Sequence, residues 1–259
     1  MKKVCSALCL LCAFALNANA ESINAGGKDI SFKIPQGYVR GTDEKYSMSR
    51  DLLVKAMPSG MTVHGIYALA DVHKKFMSDK ENLLEKYLVV VSDSRRISDK
   101  TFNEAKTEVV QNYGKLGSDQ MRELVNDSLN RLTDGGVQMG NLRSLGAFDL
   151  SDDRVSLLLM VTQTVNTDTE QISFEQAIIS TMLHIDDRLV MVNQYAVVTA
   201  PEEVETFRAQ APGVIAEMDF PTGKRPLRGG LTGAIAVLLV LAAIFFLRRK
   251  RKAGPPGPA

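Results

Sequence analysis

Three histidines, His64, His73 and His184, and three cysteines, Cys5, Cys9 and Cys12, are the side chains best able to hold a metal, relay a proton or attack a substrate. A metal site needs several ligands converging at fixed spacing. His73 and Asp71 stand two apart in a stretch of helical periodicity, so they face different ways. His184 and Asp186 stand two apart at the end of a β-prone run, so both can face one side. They are the best ligand pair in the sequence, but two ligands beside an acidic turn do not define a site. The sequence assigns no metal, and His184 is expected to be an exposed strand-end residue.

Nucleophilic chemistry finds no frame either. No G-x-S-x-G step is present to position a serine beside a base. The carboxylate pairs Asp152-Asp153, Asp186-Asp187 and Glu202-Glu203 fall in turns or at a helix start, where bending the chain or complementing the helix dipole explains them. The segment GGVQMG (135–140) lacks the basic residue that follows a phosphate-binding loop. Asn126-Asp127-Ser128 has the form of a glycosylation sequon but lies in a helical pattern. No catalytic or cofactor-binding residue is assigned.

The cysteines all lie in MKKVCSALCLLCAFALNANA, which has the parts of a secretory signal. Lys2 and Lys3 begin it, Val4 to Leu16 form a short apolar core, and Ala18 and Ala20 supply the small residues for cleavage before Glu21. A mature chain starting there has no thiol, which excludes a disulfide framework, a zinc–thiolate site and a cysteine nucleophile. At the other end, Gly229 to Leu247 is an uncharged run of 19 residues. As a helix it would be about 28 Å long, close to the hydrocarbon thickness of a bilayer. Arg248, Arg249, Lys250, Arg251 and Lys252 follow, a cluster that resists translocation and attracts anionic lipid. The expected layout is a signal peptide at 1–20, an exported domain at 21–220, a linker at 221–228, a transmembrane helix at 229–247 and a basic cytoplasmic tail at 248–259.

Charge divides along the same lines. The chain has 31 basic and 30 acidic residues. All 30 acidic residues fall in 21–220, against 21 basic ones, so the domain is near −9. Such a domain suits neither nucleic acid nor an anionic lipid surface as a partner.

Periodicity sets the elements that would position any site. ISFKIP places Ile30, Phe32 and Ile34 on one face, as in a half-buried strand. LLVKAM (52–57) and MTVHGIYAL (61–69), separated by Pro58-Ser59-Gly60, suggest a hairpin. Val72, Phe76, Leu83 and Leu84 mark a helix over 71–86, and YLVVV (87–91) a buried strand. Two helices joined by a kink are expected over 98–132, with Thr101 and Glu104 as a capping box and Phe102, Ala105, Val109 and Tyr113 on one face. The second helix carries Met121, Leu124, Val125, Leu129 and Leu132 and ends at Gly135-Gly136. RVSLLLMVTQTV (154–165) has the continuous apolar character of a central strand. QAIISTMLHI and RLVMVNQYAVV form a hairpin around Asp186-Asp187. A last helix, 200–210, capped by Thr199 with Glu202, directs Val204 and Phe207 inward and breaks at Pro212-Gly213. The fold class is α+β, a mostly antiparallel sheet with flanking helices, plus one C-terminal transmembrane helix.

ISFKIPQGYV resembles the opening strand of PsbP-like α/β sandwich domains, and LVMVNQYAVV followed by TAPEEVETF resembles their last strand and closing helix. That resemblance implies a binding or assembly module and carries no catalytic residue over. Gly229-Gly230, the apolar run and the basic cluster also resemble the GlyGly-type sorting tails of some bacteria. The expected function is a membrane-anchored, extracytoplasmic binding or assembly module of the inner membrane. It contacts lipid through residues 229–252 and an unidentified protein or envelope component through its domain. An envelope hydrolase is the alternative activity, and C-terminal processing with surface sorting the alternative fate.

Overall fold

A computed structural model describes residues 20–57, 59–78, 84–112, 126, 137–166 and 171–221. The signal core, Ala18, Leu83, the second expected helix with Gly135-Gly136, Gly229-Gly230, the span and the basic cluster lie outside these residues. Among the described residues, no helix is long and apolar enough to cross a membrane.

The chain opens with a hairpin of β1 (Ala20–Ala25) and β2 (Lys28–Lys33). Alternation in β2 buries Ile30 and Phe32 as the sequence predicts. The main sheet is antiparallel throughout its seven strands. In chain order they are β3 (Tyr38–Arg40), β4 (Met61–Leu69), β5 (Lys86–Arg96), β6 (Val137–Ser151), β7 (Arg154–Asn166), β8 (Gln171–Ile185) and β9 (Arg188–Val198). In space the order is β3-β4-β5-β9-β8-β7-β6. Four helices accompany the sheet among the described residues: α1 (Glu44–Ala56), α2 (Ala70–Met77), α3 (Asp99–Asn112) and α4 (Pro201–Glu217).

Both faces of the sheet are covered. On one, Tyr46 of α1, Phe76 of α2 and Phe102, Ala105 and Val109 of α3 pack on Val89, Val91, Leu157 and Met191. On the other, the β1–β2 hairpin lies against Leu88, Val90, Val190 and Val192, and α4 closes the rest through Val204, Phe207 and Ala211. The architecture is the expected α+β class, an antiparallel sheet with flanking helices.

Several local expectations are corrected. LLVKAM is the end of α1, not a strand: Tyr46, Leu53 and Met57 recur at helical intervals and pack on the core, while Glu44 and Lys55 complement the helix dipole. The helix expected to reach residue 86 ends at Met77, and Lys86 already belongs to β5. Ser98, not Thr101, caps α3, its Oγ accepting from the Thr101 N–H at 3.2 Å. RVSLLLMVTQTV is buried on both faces from Val155 to Val161 yet lies next to the sheet edge, and β9 is the central strand. β6 was not expected at all. Three register shifts against β7 break the period of two by which strands are recognised. Glu203, not Glu202, caps α4: its carboxylate accepts from the Thr199 N–H at 2.6 Å and the Ala200 N–H at 3.3 Å. These bonds hold the Glu203 carboxyl below the usual carboxylate range. α4 also runs through Pro212 to Glu217. An interior proline costs about 3 kcal/mol, and burial of Ala211 and Ile215 against the sheet offsets it.

Candidate functional site

The three histidines are all engaged by the fold. His184 is the clearest correction: its side chain is only 8% exposed. Nδ1 lies 3.1 Å from Asp99 Oδ1, Nε2 lies 2.6 Å from the Ile97 carbonyl, and the ring stacks on Phe102 at 5.1 Å. Asp186, its expected companion, turns away and pairs with Lys28 at 3.1 Å. Asp186 and Asp187 both take positive φ, 48° and 62°, as the two-residue turn between β8 and β9 requires. His73 Nδ1 is bonded to the Tyr46 hydroxyl at 3.0 Å. No group of three potential metal ligands converges among the described residues. Asn126, the sequon residue, clamps Met139 on β6 through two 2.6 Å bonds, one from each end of its amide.

His64 belongs to a different setting, a cleft of about 250 Å³ where β3, β4 and the first turns of α1 meet. Arg40, Thr42, Tyr46, Ser47, Arg50 and His64 line it. Gly41 and Gly65 complete the wall because nothing larger fits. A Cβ at Gly41 would stand 2.2 Å from the Tyr46 ring, and one at Gly65 would stand 2.7 Å from the Tyr67 hydroxyl.

Arg40 is the best-anchored charge of the lining. It follows Tyr38 and Val39 in an edge strand, and its guanidinium is held from behind: Nη1 donates to Glu21 Oε2 at 3.0 Å and Nη2 to the His64 carbonyl at 2.9 Å. Glu21 is itself fixed, accepting a short hydrogen bond from the Tyr67 hydroxyl. Burial and that bond push the Tyr67 phenol well up. Two of Arg40's five N–H donors are thus used, and three remain. The Arg50 side chain is exposed and has no hydrogen-bond or ion-pair partner among the described residues. His64 is half-buried, and burial together with the Arg40 charge lowers its proton affinity. Its Nε2 lies 2.7 Å from Ser92 Oγ. This serine–histidine pair has the distance of a nucleophile and base, but Ser92 is 1% exposed and does not line the cleft. Burial also raises the Tyr46 phenol to about 12, with a smaller contribution from Asp43. At neutral pH the wall therefore offers neutral hydroxyls, a neutral imidazole and two guanidinium groups. Such a set can bind and orient an anion.

The sequence gives no sign of this cleft. Arg40, Arg50 and His64 are separated by ten and fourteen residues and sit on a strand, a helix and another strand.

No protein-family model matches the chain, and no curated protein sequence matches it. Among solved structures it is similar to the solution structure of cyanobacterial PsbP (CyanoP) from Synechocystis sp. PCC 6803, at 14% identity and a TM-score of 0.39, over 80% of this chain and 94% of that one. It is also similar to a mutant of the protein Mog1 (12% identity, TM-score 0.33) and to the Saccharomyces cerevisiae Ran-binding protein Mog1p (12% identity, TM-score 0.31). Both Mog1 matches cover 78% of this chain and 95% of the other. The resemblance to PsbP-like domains is a weak likeness of fold at these identities, and it transfers no residue role.

Proposed function

We propose that the protein is a membrane-anchored binding or assembly module. Its α+β domain stands outside the cytoplasm on a linker (221–228), a transmembrane helix (229–247) crosses the inner membrane, and the basic tail (248–259) stays inside. The observation that carries the binding assignment is the open cleft in which Arg50 has no partner among the described residues while the nearby serine is buried. The chain ends support the tether. Ala20 pairs with Lys33 in the β1–β2 hairpin, and the Lys33 N–H donates to the Met218 carbonyl at 2.8 Å. Both ends of the domain therefore meet on β2, and an eight-residue linker spans at most about 28 Å. The cleft is at this end too, because Glu21, the residue after the proposed cleavage site, holds Arg40.

A photoreactive side chain at Thr42, on the cleft rim, should trap one discrete envelope protein in intact cells, whereas the same probe at Thr107 on α3 should not. No adduct at Thr42 would remove the binding assignment. Intact-mass analysis decides the anchor: the mature chain should run from Glu21 to Ala259. A mass lacking Leu231 to Ala259 would replace the anchor with the processed, surface-sorted fate.

A further inference from the structure

We propose that the cleft captures a single carboxylate presented by a protein partner, gripped between Arg40 and Arg50; this rests on the binding assignment above. The charge balance selects the ligand. Arg40 and Arg50 bring two positive charges and Glu21 one negative, leaving one positive charge for a monoanion. A phosphate dianion would overfill it, next to the fixed Glu21 carboxylate and with Asp43 and Glu44 opening α1 just outside the lining. Size selects as well. About 250 Å³ is below the range of roughly 300–1,000 Å³ of small-molecule pockets. It accommodates an acidic side chain or a chain terminus. Arg40 is preorganised for this task, because Glu21 and the His64 carbonyl hold the guanidinium in place while three of its donors stay unused, and a guanidinium suits a forked contact with a carboxylate. Thr42 lines the same wall with Ser47, whose hydroxyl donates to the Asp43 carbonyl at 3.5 Å. The lowered proton affinity of His64 keeps the imidazole neutral, so discrimination rests on the two arginines.

The test uses the full-length protein in detergent and three probes: an N-acetylated, C-amidated Gly-Glu-Gly peptide, its Gly-Gln-Gly counterpart and inorganic phosphate. Titration calorimetry should show saturable binding of the glutamate peptide and none of the glutamine peptide. Arg50→Ala should weaken glutamate binding by roughly tenfold, about 1.4 kcal/mol, with an unchanged melting temperature. Arg50→Lys should recover only part of it, because a single ammonium does not reproduce the fork. Equal affinity for the two peptides, tighter binding of phosphate, or indifference to Arg50→Ala would each overturn the proposal. If the Thr42 adduct forms in undiminished yield in Arg50→Ala cells, the module still docks its partner there but not through a carboxylate.

Discussion

His64 and His184 are both partly or wholly withdrawn from solvent, and each is tied to a neighbouring segment by hydrogen bonds, yet they sit in opposite kinds of place. Around His184 both ring nitrogens and the backbone N–H face another group of the same chain. Asp99 takes one ring nitrogen and Ile97 the other, Phe102 covers the ring, and the backbone N–H of His184 donates to the Asp153 carbonyl at 2.8 Å. The corner joins the end of β8 to the start of α3, and it leaves no ring nitrogen of His184 free, while Asp99 keeps its outer side half exposed. Around His64 the inner half of the network closes in the same way, through Ser92, Arg40, Glu21 and Tyr67. The outer half stays open: three donors of Arg40 are unused, and the Arg50 side chain, which lines the same cleft, has no partner among the described residues. Such a difference separates a polar cluster that fastens the fold from one that can receive a ligand. Closure, and not residue type, distinguishes them.

The largest test of that comparison removes the cover of the closed corner. Phe102 is fully buried, so Phe102→Ala should destabilise the protein by about 3–5 kcal/mol in denaturant titration. A loss under about 1 kcal/mol would show that the corner is not packed. His184→Ala comes next, at about 2 kcal/mol, because it strands the Ile97 carbonyl and opens a hole under Phe102. The sequence alone predicted a loss below about 1 kcal/mol for a strand-end histidine, and the same titration chooses between the two values.

On the open side, His64 should leave a pH signature. Its folded-state proton affinity lies below the ordinary value of 6.5, so unfolding takes up a proton. The stability it contributes is complete above pH 6.5 and is lost as pH falls through the lowered folded-state value. His64→Gln keeps a side chain able to reach Ser92 but cannot titrate, and should flatten that part of the stability–pH curve. An unchanged slope would mean that His64 titrates as in the unfolded chain. The smallest effect belongs to Arg50→Ala. Stability should move by no more than about 0.5 kcal/mol, because Arg50 supports nothing within the described fold, even as carboxylate binding falls. A larger loss would place Arg50 among the fastening residues and close the distinction between the two regions.

Much of the sheet was legible from the sequence. Ile30 and Phe32 alternate, the β8–β9 hairpin is marked by Asp186-Asp187, and the helical stripe of Phe102, Ala105 and Val109 lies against the core as its spacing implies. The failures share a cause: local pattern was overridden by packing. LLVKAM is apolar enough for a strand and becomes helix because Tyr46, Leu53 and Met57 seat on the sheet together. Pro212 should end a helix, and α4 continues because Ala211 and Ile215 are buried on either side of it. β6 hides because its bulges disrupt the alternation on which recognition depends.

The sequence by itself determined the α+β class, the acidic balance of 21–220 and the absence of thiols after Glu21, since composition and one-dimensional periodicity suffice for each. It also set the expectation of a signal and a span, which lie outside the described residues. Tertiary structure alone decided which histidine is locked and which borders a cleft, that Glu21 backs Arg40, and that Arg50 lines the same cleft where β3, β4 and α1 meet. The physical reason is distance along the chain. Those arrangements join residues 10 to 87 positions apart on separate elements, and no local periodicity encodes where two such elements meet.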